Sequence, residues 1–324
     1  MRFLSGASLT VVAVLSLGSL AAGCGKVNVI KARKAFKGAN QAYQAQDYKK
    51  AAELYEETVA ADPENPDIQS AWFFLGNSYD LQFKPSKKGD PANDAMMQKA
   101  VEAYQKAAEK LSASNKPEDK KLGKLSLEYL VAAYGADKLN DPAKAEPVVQ
   151  KMIQIDPGEP TNYFALAKIY EDAGAYDEAE KMLVAAKNAK PGDSDVYMQL
   201  AGFYNRQGRF DKTIEAIEER AAKEPNNPEV FYTISVFYWD EAYRDPKLKE
   251  GEKKAYVGKG ITAVDRALQI KSDYMDALVY KGLLLRLQAT LEKDRDKQQQ
   301  LLKDAEKLSQ QANELRKKKA AGTE

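Results

Sequence analysis

From about residue 31 onward, apolar positions recur at helical spacing in short blocks. In TNYFALAKIYEDAG, Tyr163, Leu166, Ala167 and Tyr170 fall at i, i+3, i+4 and i+7, which places them on one helix face. In YDEAEKMLVAAKNAKP, Ala179, Met182, Leu183 and Ala186 form a second face, and Pro191 stops that helix from continuing. Gly174 separates the two helices, and Tyr176 is expected to pack beside the turn. Small residues at Ala167 and Ala179 allow a close approach. A pair of this kind cannot bury its apolar face alone, so neighbouring pairs must stack.

The blocks repeat. A step of 34 residues joins Tyr163, Tyr197 and Phe231; Leu166, Leu200 and Ile234; Ala167, Ala201 and Ser235; and Tyr170, Tyr204 and Tyr238. Gly174 matches Gly208, Tyr176 matches Phe210, Leu183 matches Ile217, and Pro157, Pro191 and Pro225 close successive units. With Trp72, Leu75, Gly76 and Tyr79 in SAWFFLGNSYD, the pattern resembles the tetratricopeptide repeat, a helix–turn–helix unit of that length. The resemblance implies an all-α, right-handed solenoid of about seven helix pairs, near 31–66, 67–116, 117–157, 158–191, 192–225, 226–272 and 273–318. Unit one lacks the large aromatic at its start. Unit three accommodates Leu127, Leu130 and Tyr134 only with a short insertion.

Two longer insertions break the period near 81–97 and 240–258, each between the two helices of its unit. They read as solvated loops or helix extensions. A partner contact through Lys84, Lys87, Lys88, Lys247, Lys249 and Lys254 is the functional alternative, weakened by interspersed acids. The C-terminal stretch forms one helix, with Leu301, Ala305, Leu308, Ala312 and Leu315 on one face, and reads as a cap over the last unit; residues 319–324 are a tail.

The N-terminus has a different pattern. Arg2 is the only charge before Lys26, and an apolar run leads to Ala21, Ala22, Gly23 and Cys24. A charged start, apolar middle and small-residue end describe a secretory signal, here residues 1–23. A run of this length is also within the range of a membrane-spanning anchor. Leu20-Ala21-Ala22-Gly23-Cys24 resembles the lipobox of bacterial lipoproteins, with Ala21 where Leu is commoner. The resemblance implies cleavage before Cys24, acylation of that residue, and a short tether linker over 24–30. Gly25 in place of Asp suggests the outer membrane, with the chain facing the periplasm.

Composition removes much chemistry. The chain has no histidine and one cysteine, which excludes His-based acid–base catalysis, Ser–His and Cys–His pairs, His-ligated or multi-Cys metal sites and an internal disulfide. The 49 basic and 48 acidic side chains leave no electrostatic footprint for nucleic acid. No phosphate-cradling GxxxxGK loop is present. Asp193-Ser194-Asp195 reads as a helix cap rather than a calcium loop, because the other ligands of such a loop are missing. No enzyme activity, cofactor, metal or small-molecule substrate is expected.

In the tetratricopeptide family the first helices of successive units line a concave binding face. The positions after the leading aromatics and their helical neighbours are Phe73, Asn77, Phe164, Lys168, Met198, Asn205, Arg206, Tyr232 and Trp239. They form the expected groove for a partner peptide or helix. Packing against neighbouring repeats is the competing role for the aromatics. Asn77 stands in the column that some family members use to bind a C-terminal carboxylate, but unit three offers Ala132 and Glu128, so the set is incomplete. The combined expectation is an envelope-anchored scaffold or adaptor, for instance in pilus assembly, outer-membrane insertion or export. A regulator of a cell-wall enzyme and a structural spacer are the alternatives.

Overall fold

The computed structural model describes residues 18–322, with side chains from residue 27. Residues 1–17, most of the 1–23 segment read as a signal, and the last two residues therefore lie outside the described residues. All the regular structure described is helical. Contacts along the chain divide it into two compact units, residues 1–157 and 158–324.

The first unit contains α1 (Gly18–Gln44), α2 (Tyr48–Ala61), α3 (Ser70–Asp80), α4 (Pro91–Ser112), α5 (Pro117–Ala133) and α6 (Pro142–Ile155). These are the three helix pairs expected over 31–157. The segment 24–30, read as a tether linker, is helical within α1. The insertion near 81–97 divides between a loop holding one 3-10 turn (Pro85–Lys87) and an N-terminal extension of α4. Asp90 starts that helix by accepting from the Ala92 and Asn93 amides, with Pro91 at the first helical position, where its missing N–H costs nothing. The core of the first pairs packs Tyr55, Val59 and Leu75 against Ala39, Ala42, Ala51 and Ala71. The alanines sit where helices touch, as close approach requires.

The second unit contains α7 (Pro160–Asp172), α8 (Tyr176–Ala189), α9 (Ser194–Arg206), α10 (Phe210–Lys223), α11 (Pro228–Arg244), α12 (Glu250–Ile270), α13 (Met275–Leu291) and α14 (Arg295–Ala320). Gly174 and Gly208 turn each first helix into its partner at φ +76° and +67°, a conformation that glycine adopts without Cβ strain. Asp193 caps α9 through the Asp195 amide at 3.0 Å, which is the capping role read from the sequence. The insertion near 240–258 lengthens α11 and α12 on either side of a short connection. On α14, Ala305 and Ala312 are buried and Leu301, Leu308 and Leu315 half-buried, so the expected stripe packs inward.

Tyr176 departs from expectation: it is exposed, whereas Phe210 in the same column packs against Tyr238 and Tyr256 at 5.5 and 5.0 Å. The surface equivalent to Tyr238 in the preceding pair is Tyr204, and its ring is already covered by the Arg209 guanidinium at 4.8 Å and the Lys212 ammonium at 5.2 Å. These cations come there for Glu180 on α8. Its carboxylate accepts from Arg209 (Nη2, 3.2 Å), from Lys212 (2.8 Å) and from the Tyr204 hydroxyl (3.0 Å). Arg209 first, then Lys212 and Tyr204, hold Glu180 down to about 2 against the opposing effect of burial. A carboxyl held below its unfolded value stabilises the fold above about pH 4.5, and the contribution fades as pH falls towards 2. Glu180→Gln should thus lower the melting temperature at pH 6. The gap between parent and variant should close between pH 4.5 and 2 in paired thermal melts. A gap that stays constant across that range would contradict the ion-pair account.

Candidate functional site

Neighbouring first helices touch one another through their side chains. In the first unit the Tyr43 hydroxyl on α1 donates to Asn77 Oδ1 on α3 at 2.5 Å. In the second unit Arg206 on α9 donates to both carboxylate oxygens of Glu171 on α7, at 2.8 and 3.0 Å. Tyr232 on α11 meets Tyr280 on α13 edge-on, with ring centroids 5.3 Å apart.

The residues singled out from the sequence divide into three groups. Lys168, Asn205 and Arg206 are exposed on the first helices of the second unit. Lys168 pairs with Asp172 one turn along its own helix. Phe164, Met198, Tyr232 and Trp239 are half-buried. Phe164 packs against a core that includes Val196 and Tyr197, and Tyr232 against one that includes Ala277 and Leu284. These two aromatics therefore serve packing as well as surface. Burial, followed by Tyr280, Asp276 and Tyr274, pushes the Tyr232 phenol up to about 12, so it stays a neutral hydrogen-bonding group at any ordinary pH.

Phe73 and Asn77 require correction, because both are buried and neither lines an open groove. Tyr129 on α5 and Tyr104 on α4 close over the Phe73 ring, at 5.6 and 6.0 Å. Asn77 belongs to an internal polar chain. It accepts from Tyr43 and donates to the Tyr104 hydroxyl at 3.3 Å; that hydroxyl also donates to Asp80 at 3.3 Å. Lys138, from the turn between α5 and α6, reaches both oxygens of Asp80 at 2.6 and 2.9 Å. The short insertion inferred in unit three supplies this lysine. The columns that read as a binding surface here are filled by the protein's own side chains.

The insertion lysines also find internal uses. Lys88 donates to the Ala136 carbonyl at 2.8 Å, and Lys254 pairs with Glu250 at 2.7 Å. Lys84, Lys87, Lys247 and Lys249 are exposed. The backbone of Cys24 lies within α1, and its side chain is outside the described residues.

The extended α11 brings in a residue from the insertion that the sequence reading did not assign to the groove. Tyr243, one helical turn beyond Trp239, is 62% exposed and stacks on the indole at 5.0 Å with the rings 9° apart. Tyr280 meets the other side of the cluster edge-on, 5.8 Å from Trp239. Tyr232, Tyr280, Trp239 and Tyr243 thus form a continuous aromatic series from α13 to the end of α11. The signal in the sequence was the i, i+4 spacing of Trp239 and Tyr243, hidden by the adjacent insertion. A second concavity of about 1060 Å³ opens between α10 and α12 over Phe231, Ile234 and Tyr238. Its floor is partly covered by the protein's own cations, Lys259 over Tyr238 and Arg266 over Phe231, each at 5.7 Å.

Models of the tetratricopeptide repeat match residues 36–91 and 138–198, on helix pairs that show the spacing described above. The chain contains tetratricopeptide repeats. The C-terminal part of a tetratricopeptide repeat-containing protein from Cytophaga hutchinsonii is 17% identical, with a TM-score of 0.52 over 86% of this chain and 98% of that one; the likeness is one of fold. A tetratricopeptide repeat protein from Parabacteroides merdae is 13% identical, with a TM-score of 0.44 over 85% and 98% of the two chains. YrrB, described as having an unusual peptide-binding site, is 16% identical, with a TM-score of 0.34 over 74% and 86%. No curated protein matches the sequence. Tetratricopeptide repeats form interaction modules, and stacked helix pairs of this kind bind partners over extended surfaces.

Proposed function

We propose that the protein is a non-enzymatic scaffold of the bacterial envelope, tethered by lipid on Cys24. It holds a peptide or helix of a partner protein on the first-helix face of its second unit. The Trp239–Tyr243 stack carries this reading. Exposed aromatics in a packed series offer a large, stiff contact area, and Trp, Tyr and Arg dominate the energetics of protein interfaces. Arg206, Asn205 and Lys168 supply polar groups on the neighbouring helices, in keeping with a polar rim around an apolar centre. The periplasmic face of the outer membrane is the proposed location, supported by the apolar run before Cys24 and by Gly25 after it. Envelope assembly, in pilus formation, outer-membrane insertion or export, is the class of process that such a tethered adaptor suits.

The two halves of the proposal have separate tests. Cys24→Ser should abolish incorporation of a clickable fatty acid; labelling equal to the parent would remove the lipid tether from the account. Tyr243→Ser should leave the melting temperature almost unchanged, since an exposed surface change shifts stability by at most about 0.5 kcal/mol. Recovery of proteins that co-purify from detergent-solubilised envelopes should fall as for a loss of about 2 kcal/mol, the scale of an interface hot spot. Unchanged recovery from the folded variant would count against this face.

A further inference from the structure

The outer face of α1 presents a combination found on no other helix described. Residues 18–44 include five cations, Lys26, Lys31, Arg33, Lys34 and Lys37, and no Asp or Glu. Val27 and Ile30 are 64% and 67% exposed, the two most exposed large apolar side chains described. At 100° per residue, Val27, Ile30, Lys34 and Lys37 fall on one side of the helix, while Ala32, Ala35, Ala39 and Ala42 are buried on the other. Lys31 and Arg33 are engaged by Glu57 at 3.6 Å and Asp67 at 2.8 Å. Lys34 and Lys37 are exposed and have no carboxylate partner among the described residues. The helix also outruns its partner. At 1.5 Å per residue α1 is about 40 Å long and α2 about 21 Å, and no described side chain before Ala32 is buried.

Every other α-helix described carries at least one Asp or Glu. An acid-free helix face with two exposed apolar residues needs an occupant that is anionic and has an apolar layer beneath its charges. A bilayer rich in anionic lipid has both. Interfacial helices place cations at the headgroups and apolar side chains at the acyl boundary. The position on the chain agrees: the apolar run ending at Cys24 leads directly into this face, with Val27 three residues beyond the cysteine.

We infer that the Val27, Ile30, Lys34 and Lys37 face of α1 lies against an anionic membrane surface, laying the start of the array along the bilayer. This rests on the envelope reading above, and its test is built to fail separately from that reading. In a full-length Cys24→Ser background no acyl chain is possible, and Ile30→Cys then provides the sole thiol for an environment-sensitive fluorophore. The chain keeps residues 1–23, whose apolar run associates it with vesicles. On vesicles containing phosphatidylglycerol the fluorophore should shift to the blue. It should shift less on pure phosphatidylcholine, and about 0.5 M salt should reverse the difference, because screening at that strength acts within a few ångströms. Adding Lys34→Glu and Lys37→Glu should remove the preference for anionic vesicles while circular dichroism stays helical. Fatty-acid labelling of the Cys24 parent reports on the tether independently. Equal emission on both vesicle types would overturn the inference. A shift that instead follows protein concentration without lipid would assign the face to a second copy of the chain and overturn it as well.

Discussion

Tyr104→Ala should destabilise the first unit by about 3–5 kcal/mol, the range for removing a large buried aromatic. Tyr104 is wholly buried on α4. Its ring lies directly over Gly76, where a Cβ would come within 2.7 Å of it, and it packs 5.3 Å from Tyr129 and 6.0 Å from Phe73. Removing it leaves a cavity between α3, α4 and α5 that glycine at position 76 cannot help to fill. Burial pushes the Tyr104 phenol well above its ordinary value, so the hydroxyl is a permanent donor, bonded to Asp80 and accepting from Asn77. Tyr104→Phe keeps the ring and should cost only about 1 kcal/mol, because Asn77 still accepts from Tyr43 and Asp80 still holds Lys138. The chain has two tryptophans, Trp72 in α3 and Trp239 in α11. In a Trp239→Phe background, Trp72 fluorescence during urea unfolding therefore reports on the first unit. Equal losses for the two Tyr104 variants would show that the hydroxyl, and not the ring, carries the contribution.

Lys138→Met should cost about 3 kcal/mol by the same measurement, at the lower end for breaking a buried ion pair. The Asp80 side chain is 10% exposed, and that of Lys138 17%. Without the ammonium, Asp80 keeps only the Tyr104 hydroxyl and remains an uncompensated charge among α3, α4 and the α5–α6 turn. The double change Asp80→Asn with Lys138→Met removes both charges and should recover much of the loss. Additive losses in that cycle would mean that the two groups do not stabilise one another.

The repeat architecture was legible because each helix pair announces itself twice. The apolar face is written at i, i+3, i+4 and i+7, and the punctuation follows in Gly174, Gly208, Pro191 and Pro225. Among the described residues, fourteen α-helices make up the seven pairs that the pattern implies, with α1 starting before residue 31 and α14 running past 318. The groove was less legible. The position after a leading aromatic points to open surface only if the next first helix stands off from it. Beside Phe73, α5 brings Tyr129 across the face, and Lys138 arrives from a turn 58 residues beyond Asp80. No local periodicity encodes either contact. Tyr243 was missed for the opposite reason. The insertion left a loop and a helix extension both open; α11 runs on to Arg244 and carries Tyr243 back over Trp239. Tyr176 shows how charge can override an aromatic column, since Arg209 and Lys212 had already taken the ring it would have met.

The claim that matters most is that the aromatic series of the second unit holds a protein partner. Photo-crosslinking tests it at the residue itself. A benzoylphenylalanine placed at Tyr243 and irradiated in intact cells should give a discrete higher-mass adduct. The same group at Leu302, an exposed apolar position on α14, should give none. Absence of an adduct at Tyr243 in folded protein, or identical adducts at both positions, would contradict a binding face formed by Tyr232, Tyr280, Trp239 and Tyr243.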